Sequence, residues 1–214
     1  MSVSLDKFVE ALEEARKLAK PRKFTQSYEL IVKLKDIDLK RPENRFIELI
    51  PLPHPSSTKP ARVAVIATGD LAVKARDAGA DAVITREDLE ALAANKKDAK
   101  KFAKSYDVFL AQADLMPLIG RLMGRYLGPL GKMPQPVPPT GNIAPFIERA
   151  RRSVRVRVRD QPQVMCRIGT EDQDVKEVAE NATAVLNRLL ARLRPQNIEK
   201  IYVKLSMGPS VRVK

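Results

Sequence analysis

Between residues 51 and 60 the chain reads Pro51-Leu52-Pro53-His54-Pro55-Ser56-Ser57-Thr58-Lys59-Pro60, four prolines in ten residues. Proline lacks the backbone N–H and holds φ near one value, so no helix interior or central strand runs through such a stretch. The segment reads as a linker, and it separates two kinds of pattern.

Ahead of it, Leu5, Phe8, Val9, Leu12 and Ala15 recur at helical spacing, with Ser4 placed as an N-cap and Pro21 as a stop. From Tyr28 to Lys35, Tyr28, Leu30, Val32 and Leu34 occupy alternate positions of a strand, and residues 45–52 form a second strand. Behind it, Val63-Ala64-Val65-Ile66 is a compact apolar run, Thr68-Gly69-Asp70 a turn and residues 71–78 a short helix. Strands at 81–84 and 106–111 and helices at 86–95 and 116–127 continue the alternation, which implies parallel βαβ units covered on both faces. Residues 128–141 read as irregular, and Thr140 or Asn142 caps a last helix ending at Arg152.

The patterning then reverts. Val154, Val156 and Val158 alternate with Arg155, Arg157 and Arg159, Asp160-Gln161-Pro162 turns, and Val164 to Ile168 returns: a hairpin with one basic face. Residues 174–194 form the clearest helix, with an apolar stripe from Val175 to Leu193 that Pro195 ends. The ends are thus α+β and the middle α/β. The economical arrangement is a discontinuous α+β domain of residues 1–61 and 153–214, with an α/β domain of residues 62–152 inserted and a hinge at the two crossings.

The 39 Lys+Arg exceed the 26 Asp+Glu, a formal charge of +13. The excess is spread: 12 basic and 9 acidic groups in residues 1–61, 15 and 10 in 62–152, and 12 and 7 in 153–214. That favours folded basic faces over a disordered arm, and nucleic acid over membrane as partner; a merely well-solvated basic surface is the bland alternative. No run of about 18 apolar residues spans a membrane. The stretch Met1-Ser2-Val3-Ser4-Leu5-Asp6 lacks the apolar core of a signal peptide, and Cys166 is the only cysteine, so a cytoplasmic setting is expected.

Enzyme signatures are missing. No Gly-x-Gly-x-x-Gly follows the strand at Val63. Tyr126 stands where a phosphate loop ending in Gly131-Lys132 needs its first glycine, and Met133 replaces the metal-binding hydroxyl. His54 is the only histidine, so no Ser-His-Asp, Cys-His or His-rich metal set can assemble, and no cofactor is expected. Asp70, Asp81 and Asp114 near strand ends read as solvated loop carboxylates.

Near the C-terminus a strand, Lys200-Ile201-Tyr202-Val203-Lys204-Leu205, stops at Ser206-Met207-Gly208-Pro209. A backbone-accessible turn beside Lys200, Lys204 and Ser206 suits a sugar-phosphate surface.

Gly128-Pro-Leu-Gly-Lys-Met-Pro134 together with Lys204-Leu-Ser-Met-Gly-Pro209 resembles the large-subunit ribosomal protein of the L-one family in its archaeal form. Arg22-Lys-Phe-Thr-Gln-Ser27, Gly79-Ala-Asp-Ala-Val83 and the segment from Tyr106 to Met116 also fit, so the resemblance covers essentially the whole chain. It implies a split α+β RNA-binding domain and an inserted Rossmann-like α/β domain. It also implies a non-enzymatic protein, monomeric when free, that binds large-subunit rRNA in the mobile stalk beside the exit site, among other large-subunit components. There it would aid release of deacylated exit-site tRNA, and it would repress translation of its own mRNA.

By the same resemblance the RNA face comprises Lys23, Phe24, Thr25 and Ser27 beside the first strand, Arg167 and Gly169 from the returning strand, and Lys204, Ser206, Met207, Gly208 and Pro209 from the tail. Lys23, Arg167 and Lys204 would neutralise phosphates. Thr25 and Ser206 would bond ribose 2′-hydroxyls. Gly169 and Gly208 would let backbone approach RNA. Phe24 and Met207 would lie on ribose or base, or else in the core. Leu205 departs from the small polar residue expected there, harmlessly if it points inward. Arg121, Arg125 and Lys132 would give the inserted domain a secondary RNA contact, with Met133 and Pro134 packed against their own domain. Two other readings stay open: a nucleotide-binding α/β enzyme, and a basic module that binds RNA nonspecifically.

Overall fold

The computed structural model describes residues 3–213; Met1 and Ser2, part of the stretch read above for a signal peptide, and Lys214 lie outside the described residues. The chain forms α1 (Leu5–Leu18), β1 (Ser27–Leu34), β2 (Phe46–Pro51), β3 (Val63–Ile66), α2 (Gly69–Asp77), β4 (Ala82–Ile84), α3 (Arg86–Ala94) and α4 (Lys96–Ser105). It continues with β5 (Val108–Gln112), α5 (Met116–Leu127), β6 (Gln135–Val137), α6 (Ala144–Arg151), β7 (Ser153–Val158), β8 (Gln163–Thr170), α7 (Val175–Leu190), β9 (Ile198–Leu205) and β10 (Val211–Arg212). These elements fall into two compact units: the chain up to Lys59 together with that from Arg152 onward, and Pro60–Arg151.

The first unit holds an antiparallel sheet in the order β10-β9-β1-β8 and a separate antiparallel pair, β2 with β7. The alternation of β1 is used as its sequence dictates: Tyr28, Leu30, Val32 and Leu34 are buried, and they pack with Phe8, Leu12 and Ala15 of α1 and Val178, Ala182, Val185 and Leu189 of α7 in one core. Glu29, Ile31 and Lys33 therefore lie on the sheet's other face. Ser4 occupies the N-cap of α1 without a side-chain cap bond, whereas the Asp174 carboxylate accepts from the Lys176 N–H at 2.7 Å and caps α7. Leu205 is 1% exposed and points inward.

Two sequence-based expectations change here. The basic strand β7 and the returning β8 are not a hairpin: β7 pairs with β2 and β8 with β1, so the Asp160–Pro162 reversal carries the chain from one sheet to the other. Nor is the proline segment a free linker. Leu52 is buried and donates its N–H to the Arg152 carbonyl, and the residues that follow are bonded to β8 and α7, as described below.

The second unit is a parallel sheet in the order β4-β3-β5-β6, with β3 buried throughout. Two elements were not anticipated. Helix α4 has only Ala99, Phe102 and Ala103 on its buried side, too few to register as an apolar stripe. Strand β6 lies within the segment expected to be irregular; as an edge strand it tolerates Pro136, which sits opposite Ala111. Asn142 caps the last helix, its Oδ1 accepting from the Ala144 N–H at 3.1 Å.

Candidate nucleic-acid interface

In the first unit, the loop before β1, the proline segment, the end of β8 and the turn after β9 converge on one end of the sheet. Ser27 and Ser206 join the first and last of these. The Ser206 N–H donates to the Ser27 carbonyl at 3.0 Å, and the Ser27 N–H donates to the Ser206 hydroxyl at 3.2 Å. Gln26 extends the lock. Its Oε1 accepts from the Met207 N–H at 3.2 Å, and its own N–H donates to a Glu171 carboxylate oxygen at 2.8 Å. Gln26 and Ser27 are buried, so one partner of each of these bonds is shielded from solvent while the other lies nearer the surface.

On this frame, Lys23, Phe24 and Met207 stand out into solvent. Phe24 is 51% exposed and Met207 56%, so neither is a core residue. Pro209 is exposed as well, and Thr25, Ser206 and Gly208 are half-buried. Two large apolar side chains displayed beside a rigid polar turn form a surface onto which ribose or base faces can pack.

Lys204 and Arg167 lie on the open face of the sheet. Glu29 is paired with Lys204 on one side and Arg167 on the other, so a carboxylate separates the two cations. A bulge aims Arg167: the register shifts between Tyr28, opposite Gly169, and Glu29, opposite Arg167, leaving Ile168 as the extra residue. Gly169 is buried beside it. A Cβ there would come within 2.7 Å of the Val178 Cγ2, so the glycine lets β8 lie close on α7. A Cβ on Gly208 would meet that of Ala19 at 3.2 Å, so part of the demand for glycine at this turn also comes from inside the protein.

Lys59, which sequence reasoning passed over, is central to the cluster. Its ammonium donates to the Thr25 carbonyl at 2.5 Å and to the Ser27 hydroxyl at 3.3 Å, and lies 5.9 Å from the centroid of the Phe24 ring. Its own carbonyl accepts from Arg167 at 2.9 Å. Nothing in a single proline-rich segment signals that its one lysine folds back over residues 25–27. Two further contacts hold the segment down: the Ser56 and Thr170 hydroxyls meet at 2.8 Å, and the Thr58 hydroxyl donates to Asp172. The hydroxyls of Thr170 and Thr58 hold the Asp172 carboxyl below the usual carboxylate range.

The secondary residues of the second unit divide. Arg121 and Arg125 are exposed, and Arg125 stacks on the Tyr126 ring at 4.9 Å. Lys132 is engaged internally: its ammonium donates to the carbonyls of Ala103 at 3.2 Å and Tyr106 at 2.5 Å. Gly131, at φ +67°, makes the left-handed turn that sends Lys132 there. Pro134 packs inward as expected, but Met133 is 43% exposed. Asp70, Asp81 and Asp114 are each tied to near neighbours: Lys74, the Val63 N–H and the Gln112 amide. Among the described residues no group of three or more His, Cys, Asp or Glu could hold a metal ion, and no helix is long and apolar enough to cross a membrane.

Comparison with known proteins bears directly on this geometry. The model of the Ribosomal protein L1p/L10e family matches residues 13–209. "Large ribosomal subunit protein uL1" of Thermofilum pendens is 56% identical over 208 residues, 95% of this chain and 92% of that one. The proteins of the same name from Pyrococcus horikoshii and Methanothermobacter thermautotrophicus are 50% identical (100% of this chain, 98% of that one) and 49% identical (96% and 97%). With matches of this extent, and with the Lys204–Pro209 turn and the Gly128–Pro134 loop both inside the matched span, the chain belongs to the Ribosomal protein L1p/L10e family of structural, non-enzymatic ribosomal proteins.

Proposed function

We propose that this protein is a structural component of the large subunit of the cytoplasmic ribosome, and that the discontinuous unit is its rRNA-binding domain, gripping a structured RNA with the cluster around Ser27 and Ser206. Its main support is the exposure of Phe24 and Met207 on a backbone locked by part-buried hydrogen bonds, because a preorganised surface loses little ordering entropy when RNA docks. Lys23, Arg167 and Lys204 supply cations, Thr25 supplies a hydroxyl for ribose, the Ser206 hydroxyl, which already donates to the Ser27 carbonyl at 3.3 Å, offers ribose only a lone pair, and the Gly208–Pro209 turn presents backbone. Lys59 holds the loop before β1 in place.

On the ribosome this grip would place the protein in the mobile stalk beside the exit site, where it aids departure of deacylated tRNA. Off the ribosome the same surface would hold a similar fold in its own mRNA and repress its translation. Competition tests whether one surface serves both RNAs: a stalk rRNA fragment and the leader of the protein's own mRNA should displace one another from the full chain. Simultaneous binding of the two, or no binding of the leader, would remove the repressor role and leave the ribosomal one.

A further inference from the structure

Helix α4 carries Lys96, Lys97, Lys100, Lys101 and Lys104, all exposed. Among the described residues none of the five forms an ion pair. The spacing sets Lys96, Lys100 and Lys104 in one row and Lys97 and Lys101 in the next, a cationic stripe along the outer side of the helix. The opposite side, Ala99, Phe102 and Ala103, is buried in the core of the second unit, so the stripe cannot turn inward.

For the isolated unit this charge placement is unfavourable. Like charges at i and i+4 oppose the helix, and α4 has three such pairs. Lys96 and Lys97 also stand in the first turn, where the positive end of the helix dipole favours carboxylates. The neighbouring helices do the reverse at the same spacing: Asp70 pairs with Lys74 at 2.6 Å on α2, and Arg86 with Glu90 at 3.2 Å on α3. The one carboxylate of α4, Asp98, is held by the Asn95 side chain at 2.7 Å. The helix is nonetheless anchored at both ends, by the Asn95 cap on the Lys97 N–H and by Lys132 on the Ala103 carbonyl and the Tyr106 carbonyl just beyond its end.

We infer that α4 is a second phosphate-binding surface, contacting the backbone of a structured RNA separate from the one held by the discontinuous unit. Regularly spaced, uncompensated ammonium groups on a rigid helix neutralise consecutive phosphates without reading sequence, and the bound polyanion relieves the repulsion along the stripe. Arg121, Arg125 and Lys132 were the residues expected to play this part; Lys132 instead holds the end of α4. The assignment does not depend on which RNA the discontinuous unit grips.

The test uses the full chain, a fluorescent RNA duplex of arbitrary sequence and, in parallel, a stalk rRNA fragment. Three proteins are compared: wild type; Lys97, Lys100, Lys101 and Lys104 replaced by Gln; and Lys7, Lys35, Lys40 and Lys176 replaced by Gln, which removes equal charge elsewhere. At about 0.1 M salt the α4 variant should bind the duplex at least about tenfold more weakly, with a log–log salt slope shallower by roughly 3, while the control variant stays within about twofold of wild type. Replacing the same four α4 lysines by Arg should restore duplex binding. Stalk-fragment affinity should move no more in the α4 variant than in the control, and weak stalk binding by all three proteins would indict the discontinuous-unit assignment alone. Equal loss of duplex binding in the two Gln variants, or tighter binding of poly-glutamate than of duplex RNA to α4, would overturn the inference. Circular dichroism melting confirms that each variant is folded.

Discussion

Asn181 and His54 exchange two hydrogen bonds: the Asn181 Oδ1 accepts from the His54 N–H at 2.9 Å, and its Nδ2 donates to the His54 carbonyl at 2.6 Å. The same Nδ2 donates to the Ile168 carbonyl at 2.8 Å. Asn181 is fully buried on the inner side of α7, among Val178, Ala182 and Val185. One amide in an otherwise apolar stripe thus fastens the proline segment to the unit that β8 and α7 build, and sets the path that brings Lys59 to the cluster around Ser27 and Ser206.

Replacing Asn181 by Leu should therefore destabilise the protein by about 1–3 kcal/mol, because the buried Ile168 carbonyl and the half-buried His54 backbone groups lose their partners. Chemical denaturation reads this directly. RNA affinity should fall less than stability if Lys59 still finds Thr25. A loss under about 0.5 kcal/mol would mean that water replaces the amide.

On the proposed RNA contact, Met207→Ala and Phe24→Ala should each weaken stalk-RNA binding by about 1–2 kcal/mol, roughly 5- to 30-fold, because each would remove apolar surface offered to ribose or base. Both side chains are more than half exposed, so melting temperatures should stay essentially at wild type. Filter binding beside thermal melts separates the two effects. Unchanged affinity in both variants would remove the tail and the loop before β1 from the interface.

The two glycines of the cluster should behave differently from what their motifs suggest. Gly169→Ala drives a methyl against Val178 and should cost about 1–3 kcal/mol of stability. Gly208→Val meets Ala19, so its effect on binding will be mixed with a loss of stability. Affinity normalised to the folded fraction should fall for Gly208→Val and hold for Gly169→Ala. The opposite order would place Gly169, not the tail turn, against RNA.

Cys166 is buried, and burial pushes its thiol up to about 12 from the ordinary 9.0. A raised pKa favours the protonated native form. This contribution to stability is fully present below about pH 9 and is lost as pH rises from there toward 12. Stability differences between wild type and Cys166→Ala should therefore shift against wild type above pH 9. At pH 8 a thiol reagent should modify native Cys166 only at the rate of opening; rapid labelling of folded protein would contradict the burial.

The alternation of β1, the amphipathic stripes of α1 and α7 and the apolar runs of β3 and β5 were legible because each buries one face or both in a core, which forces a period on the sequence. The partners of β7 and β8 were not, since an alternating strand followed by a turn looks the same whether the chain returns to its neighbour or crosses to another sheet. Helix α4 was hidden because its lysines outnumber its three core residues. In the candidate site, motif resemblance reached the loop before β1 and the tail turn, but not Lys59, Gln26 or Asn181. Their roles depend on bonds spanning 32 to 181 residues in sequence, which no local pattern encodes.

The central claim, a preorganised surface on the discontinuous unit that reads RNA shape, is tested most directly by a salt titration. Binding of the full chain to a stalk rRNA fragment is measured beside a scrambled duplex of equal length. Both should weaken with salt along steep negative log–log slopes, but the preference for the stalk fragment should persist at high salt, because shape-specific contacts of Phe24, Met207 and Ser206 remain after phosphate attraction is screened. Equal affinities at low salt that vanish together at high salt would contradict the claim and leave charge alone as the basis of binding.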